Sequence, residues 1–299
     1  MNFGFENNKF YVDIPPCKRA PGTMRKESDR RALEIAEAGS KLMLCMSSGV
    51  DSQAVLHSFY EQGIPIECVF FYMPGHNDVE YTQLKEVENK WKIKVQVIDL
   101  DPMRLESDVL DTCCRLEVYP IQAIQKEFIK LLPDNYDIVQ MVHDPFVYVS
   151  PTKKFYYYQG RSSSEVARVR IYESLGRKGK FIPYGDTSEF LYSILADDTF
   201  RAALYTNQYF DGNGLSKPGI KLATVDRWDY YIKPIIYGKY WKDELIYFPK
   251  YGGWEDIPYM QEEFNWHRNH AIAIPYFELL DYLKIEKTTK RFYENVPHK

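Results

Sequence analysis

The run KLMLCMSSGVDSQAVLHSFY, from Lys41 to Tyr60, changes character at Ser47. Leu42, Met43, Leu44, Cys45 and Met46 are continuously apolar, the pattern of a strand buried on both faces. Beyond the loop, Val55, Leu56 and Phe59 recur at three- and four-residue spacing, and Gly63 followed by Pro65 closes the run as a helix C-terminus does. Strand, Gly/Ser loop and helix are therefore contiguous. A turn of this kind leaves first-turn N–H groups without helical acceptors, and the aligned peptide dipoles favour an anion beside them. Gly49 lets the backbone approach such an anion closely, while the hydroxyls of Ser47, Ser48 and Ser52 add donors.

No lysine follows Gly49, so the loop is not of the G-x-x-x-x-G-K-S/T kind, whose lysine binds the outer phosphates. Asp51 stands there instead. A carboxylate repels phosphates unless a divalent cation lies between, so Asp51 implies magnesium together with phosphate. The plain alternative is an N-cap in an ordinary loop.

The hexapeptide SSGVDS resembles the S-x-G-x-D-S signature of the PP-loop ATP pyrophosphatases, or adenine nucleotide alpha-hydrolase-like proteins, with Ser48 where glycine is usual. The resemblance implies ATP and Mg2+ as cofactors, with the phosphates on Ser47, Ser48, Gly49, Val50, Asp51 and Ser52. It also implies catalytic roles for Ser47 and Asp51, the latter through magnesium.

The next segments extend the pattern. Ile66 to Tyr72, IECVFFY, is β-branched and aromatic and reads as a second buried strand, reached from the first through a helix. That βαβ unit should cross over right-handed and build a parallel sheet. Met73 to Tyr81 is a loop followed by a helix start, with Asn77 or Asp78 as N-cap and Leu84, Val87 and Trp91 at helical spacing. Ligands of open α/β sheets bind outside the carboxyl ends of the strands, the edge on which this loop and SSGVDS both fall. In the family resembled, backbone at these two strand ends holds the adenine, which maps here to Met46, Phe71, Tyr72 and Met73. The local pattern is most similar to the phosphoadenosine phosphosulfate reductase branch, and His76 is a candidate substrate or phosphate contact.

Lys94 to Leu100 reads as a third strand, Pro120 to Leu132 as a helix with proline in its first turn, and Tyr136 to His143 as a fourth strand ending at His143, a further candidate. Arg25 to Ala38 reads as an amphipathic helix ahead of the first strand. The fold class expected is α/β, a three-layer Rossmann-like (HUP-type) parallel sheet with helices on both faces and an aromatic-rich C-terminal extension. Residues 1–24, with Pro15, Pro16 and Pro21, are expected as an irregular arm acting as a lid or oligomer contact, 25–210 as the nucleotide-binding domain, and 211–299 as a C-terminal subdomain.

Composition sets bounds on function. The chain has 299 residues, 45% hydrophobic and 27% charged, which suits a globular protein with one sizeable core. A net charge of -4 argues against a general nucleic-acid binder. No apolar run approaches a membrane span and no secretory signal pattern opens the chain, so a cytoplasmic protein without membrane contact is expected. Five cysteines, Cys17, Cys45, Cys68, Cys113 and Cys114, show no C-x-x-C spacing; neither zinc nor an iron–sulfur cluster is expected.

One segment departs from that balance. Lys153, Lys154, Arg161, Arg168, Arg170, Arg177, Lys178 and Lys180 face only Glu165 and Glu173 between residues 153 and 180, with Phe155, Tyr156, Tyr157 and Tyr158 interleaved. Such a segment complements phosphate or carboxylate, and a nucleic acid at 153–180 is one partner it would suit. The alternative is a solvated basic helix from Glu165 to Leu175 after a tyrosine-rich strand. Arg161 and Arg168 are the candidate phosphate or substrate contacts. Phe181 to Ala196 reads as strand, turn and helix, with Gly185 and Asp186 as cofactor-binding candidates on a weak similarity of Gly185 to Glu189 with the asparagine synthetase branch; a cap is the other role for Asp186. Tyr230 to Tyr237 reads as a late strand and Trp241 to Ile246 as a helix, whose Lys242 would reach a phosphate. Tyr276 to Ile285 reads as a closing helix.

The expected function is an ATP-dependent adenylating enzyme. Pyrophosphate leaves, a carbonyl or amide oxygen of a small-molecule or nucleotide substrate is adenylated, and a nitrogen nucleophile resolves the intermediate. A sulfonucleotide-binding protein and a non-catalytic nucleotide- or nucleic-acid-binding module are the alternatives, and a homodimer is an expected assembly.

Overall fold

The structure, a computed structural model, describes residues 1–6, 9–141, 147–149, 154–160, 164–205, 233–248, 257–261 and 271–293. Its centre is a five-stranded parallel sheet in the order β5-β4-β3-β6-β9: β3 is Lys41–Met46, β4 Glu67–Tyr72, β5 Val95–Asp99, β6 Tyr136–Gln140 and β9 Phe181–Pro183. The apolar run of β3 takes the middle position, where both faces and both edges are covered. Its side chains alternate. Leu42, Leu44 and Met46 join a cluster with α2 (Val50–Glu61), α3 (Asp78–Trp91), α1 (Met24–Ala36) and α7 (Ser188–Leu195). Met43 and Cys45 join a second cluster with α4 (Glu106–Leu116), α5 (Pro120–Lys130) and α6 (Ser164–Leu175). Helices thus lie on both faces, a three-layer α/β arrangement.

Register places the loops. Met46 pairs with Phe70 of β4, and Leu44 with Val139 of β6, so the ends of β3, β4 and β6 open onto one edge. Helix α3 begins where expected, but Asn77 does not cap it: at the N-cap position it makes no side-chain cap bond. Its amide turns back to β4, accepting from the Met73 N–H (2.7 Å) and donating to the Phe71 carbonyl (2.9 Å). Asp78 receives the Gly75 N–H (3.1 Å) and the Tyr72 hydroxyl (2.6 Å), fastening the same turn from outside.

The ends of the chain differ from the sequence reading. Residues expected as an irregular arm form β1 (Asn2–Glu6) and β2 (Lys9–Ile14), which pair antiparallel, and β2 pairs in turn with β11 (Lys290–Tyr293). Phe10, Val12 and Ile14 alternate inward and are fully buried, a period-two pattern whose partner strand lies at the other end of the sequence. Arg291 grips Asp13 with Nε and Nη2 (2.6 and 2.9 Å) and lies over the Tyr11 ring. A third sheet, β10-β8-β7, joins Val147–Val149 (β7), the tyrosine-rich Phe155–Gly160 (β8) and Ala271–Pro275 (β10).

The expected late strand at Tyr230 to Tyr237 is a helix where it is described, α9 (Lys233–Trp241), the next described helix after α8 (Asp198–Tyr205). Pro234 sits in its first turn, where the missing N–H costs no helical bond, and Lys233, Ile236, Tyr237 and Trp241 recur on one buried face. The expected helix at Trp241 to Ile246 is only a 3-10 turn, Lys242–Glu244, followed by extended chain. The closing helix α10 spans Tyr276–Ile285, as the sequence indicated. Among the described residues no helix is long and apolar enough to cross a membrane.

Candidate functional site

Gly49 is the N-cap of α2, with extended backbone (φ -66°, ψ 154°). The Gln53 N–H is the first of the helix to reach a helical carbonyl, that of Gly49 (3.3 Å), so the N–H groups of Val50, Asp51 and Ser52 are its orphan first-turn donors. The loop braces itself through hydroxyls. Ser52 Oγ donates to the Ser47 carbonyl (2.7 Å) and accepts from the Ser47 N–H (3.1 Å), while Ser47 Oγ accepts from the Gly49 N–H (3.2 Å). Ser48 departs from expectation: its hydroxyl is buried and donates to Gln83 Oε1 of α3 (2.7 Å), away from any anion on the loop.

Asp51 is not the cap either. Its carboxylate accepts from the Tyr237 hydroxyl (2.6 Å) and forms an ion pair with the buried Lys233 ammonium, both on α9 and both absent from the sequence reading. Burial and the Asp51 charge together push the Tyr247 phenol up to about 12, so Asp51 also bears on the chain beyond α9. A lysine ammonium from a distant part of the chain thus reaches the carboxylate of the loop.

Gln53 fixes this docking. Fully buried, its Nε2 donates to the carbonyls of Ser48 (2.7 Å) and Ile246 (2.8 Å), and its Oε1 accepts from the Ile246 N–H (2.8 Å). Farther along α2, His57 Nε2 lies 2.9 Å from Glu244, which also binds Arg25. Burial and the Arg25 guanidinium hold His57 below its ordinary value against the opposing pull of Glu244 and Glu61. Replacing Gln53 with leucine removes three bonds and strands buried peptide groups, at an expected cost of about 2–4 kcal/mol. Denaturant unfolding checks this, and a loss below about 1 kcal/mol would show that Ile246 does not depend on the amide.

A cavity of about 250 Å³ opens at this edge of the sheet. Its walls are Met46, Ser47, Asp51 and Ser52 from the loop, Phe70, Phe71, Asn77 and Glu80 from the end of β4 and the start of α3, and Cys45, Gln125, Gln140, Met141 and Arg168. Burial pushes the Cys45 thiol up to about 12, so it lines the wall protonated, as a small apolar group.

The structure sorts the sequence candidates. Met46, Ser47, Asp51, Ser52, Phe71 and Arg168 share the cavity; Ser48, Gly49, Val50, Tyr72 and Met73 lie next to it in sequence without lining it. Of the backbone expected to hold an adenine, three groups are engaged elsewhere: Asn77 takes the Phe71 carbonyl and the Met73 N–H, and the Leu100 N–H takes the Tyr72 carbonyl (3.0 Å). His76 is half-buried and does not line the cavity. Gly185 and Asp186 are on the turn after β9, two strands from β3, where Thr187 rather than Asp186 caps α7. Glu189 is buried and accepts the Lys18 N–H (2.6 Å). Lys242 is exposed on the 3-10 turn and does not line the cavity. His143 and Arg161 fall outside the described residues.

The basic segment divides by task. Arg170 Nη1 donates to the Leu116 carbonyl (3.0 Å) at the end of α4, and Arg177 Nη1 to those of Ile129 (2.8 Å) and Leu132 (3.1 Å) at the end of α5. These guanidiniums satisfy helix-end carbonyls and complement the helix dipole. Cys113 is buried and Cys114 exposed, so the adjacent pair does not share one face of α4. Gln125, Gln140, Lys233 and Tyr237 gave no motif to read, because each acquires its place only from tertiary packing.

Fold and edge together define an α/β protein with a cavity of mixed polar and apolar lining at the carboxyl end of a parallel sheet. No protein-family model matches the chain, and no curated protein matches it.

Proposed function

We propose that the protein is an ATP-dependent adenylating enzyme of the PP-loop type, built on a HUP-type variant of the α/β fold. The observation that carries the reading is the cavity at the carboxyl edge, bounded by the first turn of α2, Ser47 and Asp51. A phosphate tail placed there meets the N–H groups of Val50, Asp51 and Ser52 at the positive end of the helix dipole. An oxygen of the second substrate attacks the α-phosphorus, the bond to the bridging oxygen breaks, and pyrophosphate departs with its electron pair. A nitrogen nucleophile then attacks the activated carbon, releasing AMP. Asp51 and Glu80, the two carboxylates of the cavity, fit the one or two that magnesium ordinarily takes alongside phosphate oxygens. When bound, the ion would offset charge on the departing pyrophosphate.

The test is the identity of the product. Slow uncoupled turnover of ATP is expected to release pyrophosphate, not orthophosphate, with magnesium present, and Asp51→Asn is expected to lower the rate about 100-fold. Orthophosphate as product, or full turnover by the variant, would defeat the reading. The Lys233–Asp51 pair favours one second reading, because a protein cation offsets the carboxylate without a metal: a sulfonucleotide-binding protein. Stabilisation by adenosine phosphosulfate but not by ATP, in a thermal-shift comparison without magnesium, would select it.

A further inference from the structure

The wall of the cavity on the α5 and α6 side differs in chemistry from the loop opposite it. Strand alternation puts Gln140 on the face of Ile138, and Cys45 and Phe71 share that face, with α5 and α6 behind them. Cys45 presents a protonated thiol, and the Phe71 ring stacks on Phe128 of α5 (4.7 Å between centroids). Arg168 of α6 lies in the same wall, where its Nε donates to Gln125 Oε1 of α5 (3.0 Å). Arginine can only donate, so this bond fixes which end of the Gln125 amide is oxygen and leaves Nε2 on the other branch. Among the described residues neither that Nε2 nor the Gln140 side-chain amide has a hydrogen-bond partner, although the Gln140 main-chain carbonyl accepts from the Tyr184 N–H (2.9 Å). Both glutamines are half-buried and line the cavity.

A half-buried amide with no protein partner forgoes hydrogen bonds unless water or a ligand supplies them, and two such amides on one wall define a donor and acceptor pattern. Gln125 offers N–H donors, because its oxygen serves Arg168; Gln140 offers both a donor and an acceptor. A C(=O)–N–H edge matches the pair. Its oxygen accepts from Gln125 Nε2 and its N–H donates to Gln140 Oε1. Both side chains are uncharged, so they compensate a neutral edge better than a carboxylate stripped of water. We propose that Gln125 and Gln140 determine specificity for the second substrate by reading a neutral amide edge beside the nucleotide. This rests on the nucleotide reading for the loop side of the cavity. A carbonyl oxygen bonded to Gln125 keeps its second lone pair for the attack on the α-phosphorus. Two sources share the chemistry, an open carboxamide and the lactam of a ring.

Ligand-detected NMR titrations separate them, with the protein saturated by α,β-methylene-ATP and magnesium. The probes are benzamide, the ring lactam 2-pyridone, acetophenone, which carries a methyl group in place of the amide nitrogen, and benzoate. Benzamide or 2-pyridone is expected to bind about tenfold more tightly than acetophenone and benzoate, because an analogue without the N–H leaves Gln140 unpaired. The tighter of the two amides assigns the source. Gln140→Leu is expected to weaken that amide about fivefold while acetophenone stays within about twofold. Gln125→Glu keeps an acceptor for Arg168 but has no Nε2 donor, and is expected to weaken the amide by a similar factor; it also decides the matter if Gln140→Leu does not fold. Equal binding of the amides and acetophenone would overturn the proposal. So would benzoate binding more tightly than either amide, variants that lose all probes alike, or no binding of any probe. Failure of the nucleotide analogue to bind would defeat the nucleotide reading instead. The same titrations on the free protein then decide the amide subsite: a preference for amide over acetophenone that Gln140→Leu or Gln125→Glu removes supports it, and no such preference refutes it.

Discussion

Gly179→Ala is expected to lower the melting temperature by roughly 6–12 °C, corresponding to about 3 kcal/mol or more of lost stability. A Cβ built at Gly179 would lie 1.9 Å from the Tyr136 carbonyl oxygen and 2.5 Å from its carbon, both backbone atoms that no side-chain rotation can move. The contact is close because residues 178–180 lead into β9 while crossing the start of β6. The Gly179 N–H donates to Asp134 (2.8 Å), the Lys180 N–H to the Asp137 carboxylate (2.7 Å), and the Ile138 N–H returns to the Lys180 carbonyl (2.8 Å). Relieving the clash must part β6 from β9, so ladder bonds are lost together with packing. Gly176 is the control. It has φ +59° and nothing within 4 Å of an added Cβ, so alanine there meets only the left-handed backbone penalty of about 1–2 kcal/mol. A Gly179→Ala variant melting within about 2 °C of wild type would mean that β6 and β9 are not held this closely.

The contrast between these glycines bears on what a sequence discloses. Gly176 ends α6 and reads as a helix stop from its neighbours alone, whereas Gly179 is required by Tyr136, a residue on another strand. The same division runs through the fold. The parallel sheet was legible because β3, β4 and their helices announce themselves within one window of sequence: a buried run, a Gly/Ser loop, then helical spacing. Strand β2 carried a clear alternation in Phe10, Val12 and Ile14, but Pro15 and Pro16 directly after it suggested an arm, and its partner β11 lies near the other terminus. Around Pro234 the apolar residues fit either period, and burial of Lys233 on the inner face of α9 follows only from the presence of Asp51. Of the candidate site, what came from the loop's own sequence was readable. What closes it came from α5, α6 and α9, whose contributions are single polar side chains with no spacing to betray them.

Lys233→Met tests the most consequential of these. In the free protein the lysine offsets the Asp51 carboxylate at the foot of α2, in a setting where Asp51 keeps about a third of its side chain exposed and Lys233 only 9%. With a phosphate tail on the α2 amides, that cation lies between two negative groups and attracts both. Removing it leaves Asp51 facing the phosphates with the Tyr237 hydroxyl as its remaining hydrogen-bond partner among the described residues. Magnesium-free ATP affinity is therefore expected to fall about 100-fold, equivalent to about 2.7 kcal/mol and within the range of a partly desolvated charge-assisted pair. Added magnesium should restore much of the loss, because Asp51 and Glu80 would hold a divalent ion whose charge would offset the phosphates in place of the lysine. The double variant Asp51→Asn/Lys233→Met should bind magnesium-free ATP more tightly than Lys233→Met alone, since the repelling carboxylate has gone, while its turnover stays low for want of Asp51. Titrations of the four proteins with and without magnesium form a double-mutant cycle that isolates the pairwise coupling. Coupling near zero, with Lys233→Met binding ATP as the wild type does, would show that the ion pair only docks α9 and that the loop holds phosphate without a lysine from any source.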